Sequence, residues 1–222
     1  SAEIFSILYN KSMKLGPSEG LFSTHKFEGT PSVNNPHPQK GFLYNGAKNP
    51  DLDRFFLSPS HYALTLYAAL IETKRLNDKC LKEFNKDGSV LDMIGSEHSP
   101  GHETNGGSFG QTISQAAGVA WARRRKKEKG LVWLFLSDGE FQEGQTWEAL
   151  MSMAFHKISN LKIVVDVNGQ QVDGKTCDVM NLEPLLEKIS SFGACVKQVD
   201  GHDLVALNNA FRHFIESIPF YG

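Results

Sequence analysis

Two short apolar runs, each ending in polar residues, constrain this chain more than any other feature. Leu131-Val132-Trp133-Leu134-Phe135-Leu136 stops at Ser137-Asp138-Gly139, and Ile163-Val164-Val165 stops at Asp166-Val167-Asn168-Gly169. Unbroken runs this short predict strands buried on both faces. Around them the apolar spacing is helical, over about 111–127, 145–157, 182–191 and 203–217, with one more strand expected at 194–199. Strands alternating with helices imply parallel βαβ units, so the fold class is α/β, a three-layer parallel sheet with helices on both faces. Ligands of such sheets bind beyond the carboxyl ends of the strands, where these polar residues stand. Asp200-Gly201-His202-Asp203 is a third such end.

The 222 residues suit one domain spanning 1–222. Helical spacing is also read over 1–10, 60–74 and 78–85. A polar stretch at about 16–59 holds most of the prolines and many Gly, Asn and Ser residues, and predicts a long surface loop. A formal net charge of -2 argues against a polybasic nucleic-acid binder. No apolar run approaches the roughly 18 residues of a membrane helix. The opening Ser1-Ala2-Glu3 has no leader-like character, and Cys80, Cys177 and Cys195 are too few and too scattered for a disulfide framework. A cytoplasmic protein is expected.

Asp138 and Asn168 each follow a strand, and neighbouring parallel strands bring such ends together. Carboxylate and carboxamide oxygens are hard ligands suited to Mg²⁺ or Ca²⁺, and Mg²⁺ usually bridges to phosphate oxygens. Both residues also sit in Asp-Gly and Asn-Gly contexts that commonly form turns. The run from Ser99 to Gln111 is rich in glycine and feeds a helix, which offers N–H groups to an anion, although taken alone such a run is more often a flexible turn. It matches neither the dinucleotide fingerprint nor the Gly-Lys-Ser/Thr phosphate loop. His61, at a helix start, and His98 and His102, by the glycines, are candidate phosphate or sugar contacts. Glu143 is an acid near a helix N-terminus. Three motifs are set aside. Asn85-Lys86-Asp87-Gly88 lacks the closing Glu of a calcium loop. Asp51-Leu52-Asp53 has no strand before it, and Arg123 to Lys129 reads as a solvated helix end.

Ser137-Asp138-Gly139-Glu140-Phe141-Gln142-Glu143-Gly144, followed by Asn168, resembles the thiamine diphosphate motif in its transketolase form. Collinear stretches strengthen the likeness: Ser1 to Tyr9, Asp53 to His61, Pro100 to Gln111, and Val199 to Asp203. The resemblance implies the thiamine diphosphate-binding fold, specifically its diphosphate-binding domain. It implies Mg²⁺ or Ca²⁺ on Asp138, Asn168 and the main-chain oxygen of Gln170. Gly139, Gly107 and His61 would meet the diphosphate, and Phe109 would lie beside the pyrimidine. Glu143 would support the cofactor across a subunit interface, and His98 or His102 would touch substrate. Ser137 and Ser60 stand where the family carries glycine, and the 16–49 region is longer than usual.

In split members of this family a second polypeptide supplies the pyrimidine-binding domain and its activating glutamate. The resemblance therefore implies the N-terminal subunit of a transketolase-type enzyme that moves a two-carbon ketol unit between sugars or sugar phosphates. That subunit would be inactive alone, with a homodimer core inside a heterotetramer. A non-catalytic cofactor- or partner-binding homologue and a 2-oxoacid-decarboxylating subunit are the alternatives, with Trp147-Glu148-Ala149 and Val172-Asp173-Gly174 favouring transketolase over the latter.

Overall fold

The computed structural model describes residues 1–20, 22–24 and 26–216. A parallel three-stranded sheet forms the centre, in the order β1 (Arg54–Leu57), β2 (Val132–Ser137), β3 (Leu161–Asp166). The register pairs Phe56 with Leu134, and Leu134 with Ile163. Around it lie α1 (Ala2–Ile7), α2 (Ala63–Glu72), α3 (Gln111–Arg125), α4 (Gly144–Phe155), α5 (Thr176–Val179), α6 (Leu185–Ser190) and α7 (Leu204–Glu216). A hairpin of two-residue strands, β4 (Gln170–Gln171) with β5 (Gly174–Lys175), follows β3.

Successive side chains of a strand leave on opposite faces, so β2 feeds two cores at once. Trp133 and Phe135 pack with Phe55, Leu57 and residues of α1, α2 and α7. Val132, Leu134 and Leu136 pack with Phe56 and residues of α3, α4 and α6. This is the expected three-layer arrangement, and burying each such large side chain is worth about 1.5–3 kcal/mol.

The structure departs from the sequence reading in four places. The 16–59 stretch is not all loop, because β1 lies inside it. Its three apolar residues alternate between the cores, Phe55 and Leu57 in one and Phe56 in the other, a pattern too short to stand out beside a Pro- and Asn-rich segment. At 194–199 the expected strand is reduced to a single bridge at Ala194; beyond it the segment lies across from β3 over a cleft of about 820 Å³, lined by Ile163, Val165, Cys195, Val199 and Phe211. Arg123 is buried rather than solvated, donating to the carbonyls of Asn49, Pro50 and Leu52 and pairing with Glu128 at 3.0 Å. The 78–85 segment forms a 3-10 turn, Asp78–Glu83. The expected end of the last helix at Ser217 lies outside the described residues.

Asp53 fastens the sheet's entry. Its carboxylate accepts from Lys14 N, Leu131 N and Trp133 Nε1 at 2.8–3.1 Å. Among the described residues, no helix is long and apolar enough to cross a membrane.

Candidate functional site

β1, β2 and β3 run parallel, so their carboxyl ends open on one side of the sheet. Beyond β1 the chain turns through Ser58-Pro59-Ser60-His61 into α2. Beyond β2 it enters a 3-10 turn, Asp138–Gln142. Beyond β3 it makes the Val167–Gln170 turn. The glycine segment 101–110 enters the same space and ends at Gly110, which begins α3 in the left-handed conformation at φ 80°.

Asp138 is 2 % exposed, yet its carboxylate is well supplied. It accepts from its own turn at Gly139 N (3.0 Å), from Gly169 N (3.1 Å) and from Thr176 Oγ1 (2.9 Å). The Asn168 turn is thereby drawn over the end of β2. Asn168 is exposed; its Oδ1 accepts from Gln170 N at 2.8 Å and its Nδ2 donates to Tyr62 Oη at 3.0 Å. Tyr62 Oη also donates to Asp166 Oδ2 at 3.3 Å. Burial first, and the Asp166 carboxylate second, push the Tyr62 phenol up to about 12. Asp138, Asn168 and Gln170 are thus brought together as a carboxylate, a carboxamide and the adjoining main chain, an all-oxygen donor set suited to a hard divalent cation. Among the described residues there is no cluster of three or more His, Cys, Asp or Glu that could hold a metal.

The glycine segment is pressed against the end of β1. A Cβ on Gly106 would lie 2.5 Å from Ser58 O and 2.7 Å from Ser60 Oγ, so only glycine fits there. Gly107 donates its N–H to Ser58 O at 3.1 Å and takes φ 92°, a conformation glycine adopts without steric cost. Ser60 Oγ is buried with no protein partner and lies beside Gly107. The Phe109 ring stands 6.3 Å from that of His61, and a Cβ on Gly139 would meet Phe109 at 3.7 Å. His61, Gly107, Phe109, Gly139 and Asp138 therefore border one region. His61 is exposed on one side, and the partial withdrawal of its ring from water lowers its pKa. Glu143 is exposed, just beyond the 3-10 turn and close to Gly110.

The structure separates the two histidines that the sequence left as alternatives. His102 is 1 % exposed, packed under Gly95, whose missing Cβ makes its room; Nε2 has no partner, and burial pushes the ring down to about 4. It is not brought to the ligand region. His98 is partly exposed and held by Asp92 Oδ2 at 2.8 Å and Ser96 Oγ at 2.9 Å, with the Phe27 ring 4.3 Å away. Its segment joins the site through Gly95 N, which donates to Ser60 O at 3.3 Å, and through Ile94 beside Gly107.

Sequence reasoning missed Tyr62, Thr176, Asp92 and the Arg54–Glu103 ion pair, which fastens the start of the glycine segment to β1. The signal for the last was an acid just after Pro100-Gly101-His102 and an arginine opening an aromatic strand.

Comparison with known proteins gives the chain's family and fold. The family described as "Transketolase, thiamine diphosphate binding domain" matches residues 41–216. A transketolase family protein of Sinorhizobium fredii is 46% identical over 160 residues, 72% of this chain and 57% of its own length. A 6-deoxy-6-sulfo-D-fructose transketolase subunit of a Clostridium species is 34% identical over 155 residues, 69% of this chain and 56% of its own. The chain spans a little over half the length of these relatives. Among solved structures, a transketolase from Campylobacter jejuni superposes with a TM-score of 0.71 at 25% identity, over 78% of this chain and 29% of that one. A transketolase from Pichia stipitis in complex with xylulose 5-phosphate gives 0.73 at 25% identity, over 82% and 29%.

Proposed function

Because the chain belongs to the transketolase family, as its thiamine diphosphate-binding domain, we propose that it is the N-terminal subunit of a two-subunit transketolase. The reaction is transfer of a two-carbon ketol unit from a ketose, or its phosphate, to an aldose acceptor. The observation that carries this reading is the meeting of Asp138, the Asn168 turn and the Gly106–Gly110 loop at the sheet's carboxyl edge.

The residues fit the cofactor. The oxygens of Asp138, Asn168 and the Gln170 main chain would hold Mg²⁺ or Ca²⁺, once Asn168 Oδ1 exchanges Gln170 N for the cation. Gly107 and Ser60 offer diphosphate oxygens a side chain-free approach and a hydroxyl without a protein partner, with His61 alongside. Thiamine diphosphate, when bound, supplies the carbanion chemistry. Phe109 would lie beside its pyrimidine, and Gly139, next to the Phe109 ring, would approach the diphosphate. His98 has Asp92 on Nε2 and the Ser96 hydroxyl on Nδ1, so it would meet substrate by exchanging the Ser96 hydroxyl at Nδ1, where it could accept or donate a proton. Glu143 faces outward, where a second subunit would meet it.

The partner is a C-terminal pyrimidine-binding subunit or domain. α3 and α4 pack on each other and expose Trp121, Met151 and Phe155, the last 81 % exposed. Apolar residues so placed suit the centre of a homodimer, with two partner subunits outside it in a heterotetramer. The three free cysteines suit a reducing, cytoplasmic setting. The test is a coupled assay with a ketose phosphate donor and an aldose acceptor. The chain with thiamine diphosphate and Mg²⁺ gives no transfer, and adding the partner restores it. Turnover by the chain alone refutes the two-subunit reading.

A further inference from the structure

Glu140 is an acid inside the core. It follows Gly139 in the turn after β2 and is fully buried. Its Oε2 accepts from Ser58 Oγ at 2.6 Å and from Gly110 N at 3.3 Å, while Oε1 is buried without a partner. Its main-chain oxygen accepts from Thr146 Oγ1 at 2.6 Å, which fixes the turn from which the side chain departs. Ser58 lies three residues before His61, Gly110 follows Phe109, and Glu140 itself follows Asp138 and Gly139. One carboxyl group therefore spans the end of β1, the end of β2 and the start of α3.

Stability does not account for such a group. A buried acid with one oxygen unsatisfied costs folding free energy, and an apolar side chain of similar volume usually serves a core as well or better. What the carboxyl group provides is placement. Ser58 O receives Gly107 N, and Ser58 Oγ reaches Glu140, which in turn holds Gly110 N. The glycine loop is thus tied to the end of β1 at both of its ends. Without Glu140 the Gly107 contact remains, but Ser108, Phe109 and Gly110 are released at the far end.

The geometry points to Glu140 as a positioning residue that sets the Gly107–Gly110 loop against the end of β1 and so preforms the anion-binding side of the site. Its consequence for thiamine diphosphate rests on the function proposed above; the clamp itself does not.

Two measurements on the full chain separate these. Amide hydrogen exchange without ligand reads the loop directly. Glu140→Met and Ser58→Ala accelerate exchange at Ser108 to Gln111, whereas Glu140→Gln, which keeps an acceptor oxygen, stays close to the parent chain. Glu140→Met leaves the buried Ser58 hydroxyl and the Gly110 N–H without their acceptor and melts lower, whereas the double variant Ser58→Ala/Glu140→Met, with the hydroxyl also gone, recovers part of that loss while its loop still exchanges fast. Calorimetry with thiamine diphosphate and Mg²⁺, in the presence of the partner subunit, then shows about tenfold weaker binding for Glu140→Met and Ser58→Ala, and near-parent binding for Glu140→Gln. Unchanged loop exchange in both Glu140→Met and Ser58→Ala overturns the clamp, as does Glu140→Gln behaving like Glu140→Met. If the exchange pattern holds but the parent chain binds no thiamine diphosphate, the clamp stands and the cofactor reading fails. Ser58→Ala is the smaller change and carries the test if Glu140→Met does not fold.

Discussion

At the end of β2 the chain turns inward, whereas at the end of β3 it runs out into solvent. Asp138, Gly139, Glu140 and Phe141 are all buried, and the acidic side chains among them are hydrogen-bonded to neighbouring segments. Val167, Asn168, Gly169 and Gln170 are all exposed, and Asn168 is held mainly by its own turn and by Tyr62. Two bonds tie Asp138 to the chain beyond β3, one from Gly169 N and one from Thr176 Oγ1. One jaw of the site is built into the core and the other lies on the surface. The buried jaw carries the charge that the proposed cation would need, and the surface jaw would be able to rearrange around it without disturbing the core.

The contrast is broken most directly at Asp138. Asp138→Ala removes the anionic ligand and also leaves the buried Thr176 hydroxyl without its acceptor. The variant loses about 1–3 kcal/mol of stability and more than about 100-fold in affinity for thiamine diphosphate with Mg²⁺. Denaturant unfolding and calorimetry read the two effects. Unchanged affinity would remove Asp138 from the site and leave it a structural residue.

Asn168 sharpens the same comparison. Asn168→Ala changes stability by less than about 0.5 kcal/mol, as exposed positions generally do, while affinity for cation and diphosphate falls about 10- to 100-fold. The two jaws are then told apart by the ratio of stability lost to affinity lost. An Asn168→Ala chain that melts as early as Asp138→Ala would show that both ends belong to the core.

The sequence made one jaw more legible than the other for a physical reason. β2 is a six-residue apolar run buried on both faces, and its abrupt stop at Ser137-Asp138-Gly139 marks a strand end in any α/β sheet. β3 was readable as a strand from Ile163-Val164-Val165, although these three are half-buried beside the cleft rather than buried on both faces, and α3 and α4 were readable from their helical spacing. β1 was not, since four residues opening with Arg54 give too little pattern, and only the burial of Phe55 and Phe56 on opposite faces identifies it. At 194–199 the opposite happened: apolar character predicted a strand, but pairing requires a neighbouring edge, and beyond the bridge at Ala194 a cleft separates the segment from β3. His102 and His98 look alike in sequence because both lie near glycines. Their difference is set by Gly95, whose lack of a side chain makes room for the His102 ring in the interior. Glu140 was visible only as one letter of a motif, since nothing local distinguishes an acid that points into the core from one at a helix start.

Gly169 gives the smallest effect and tests what the surface jaw requires. It takes φ 69°, and no atom lies within 4 Å of where its Cβ would be. Space is therefore no obstacle to a side chain there, and only the left-handed backbone resists one. Gly169→Ala costs about 1 kcal/mol, read as a shift in the denaturant midpoint. Gly169→Asn costs less, because asparagine tolerates that conformation better than alanine. Gly169 N still reaches Asp138 in both variants if the turn keeps its shape, so binding of thiamine diphosphate with Mg²⁺ follows the same order as stability. If alanine and asparagine are equally harmless, the turn can leave the left-handed conformation at no cost. The Asn168 jaw would then be set by Tyr62 and Asp138 alone rather than by its own backbone.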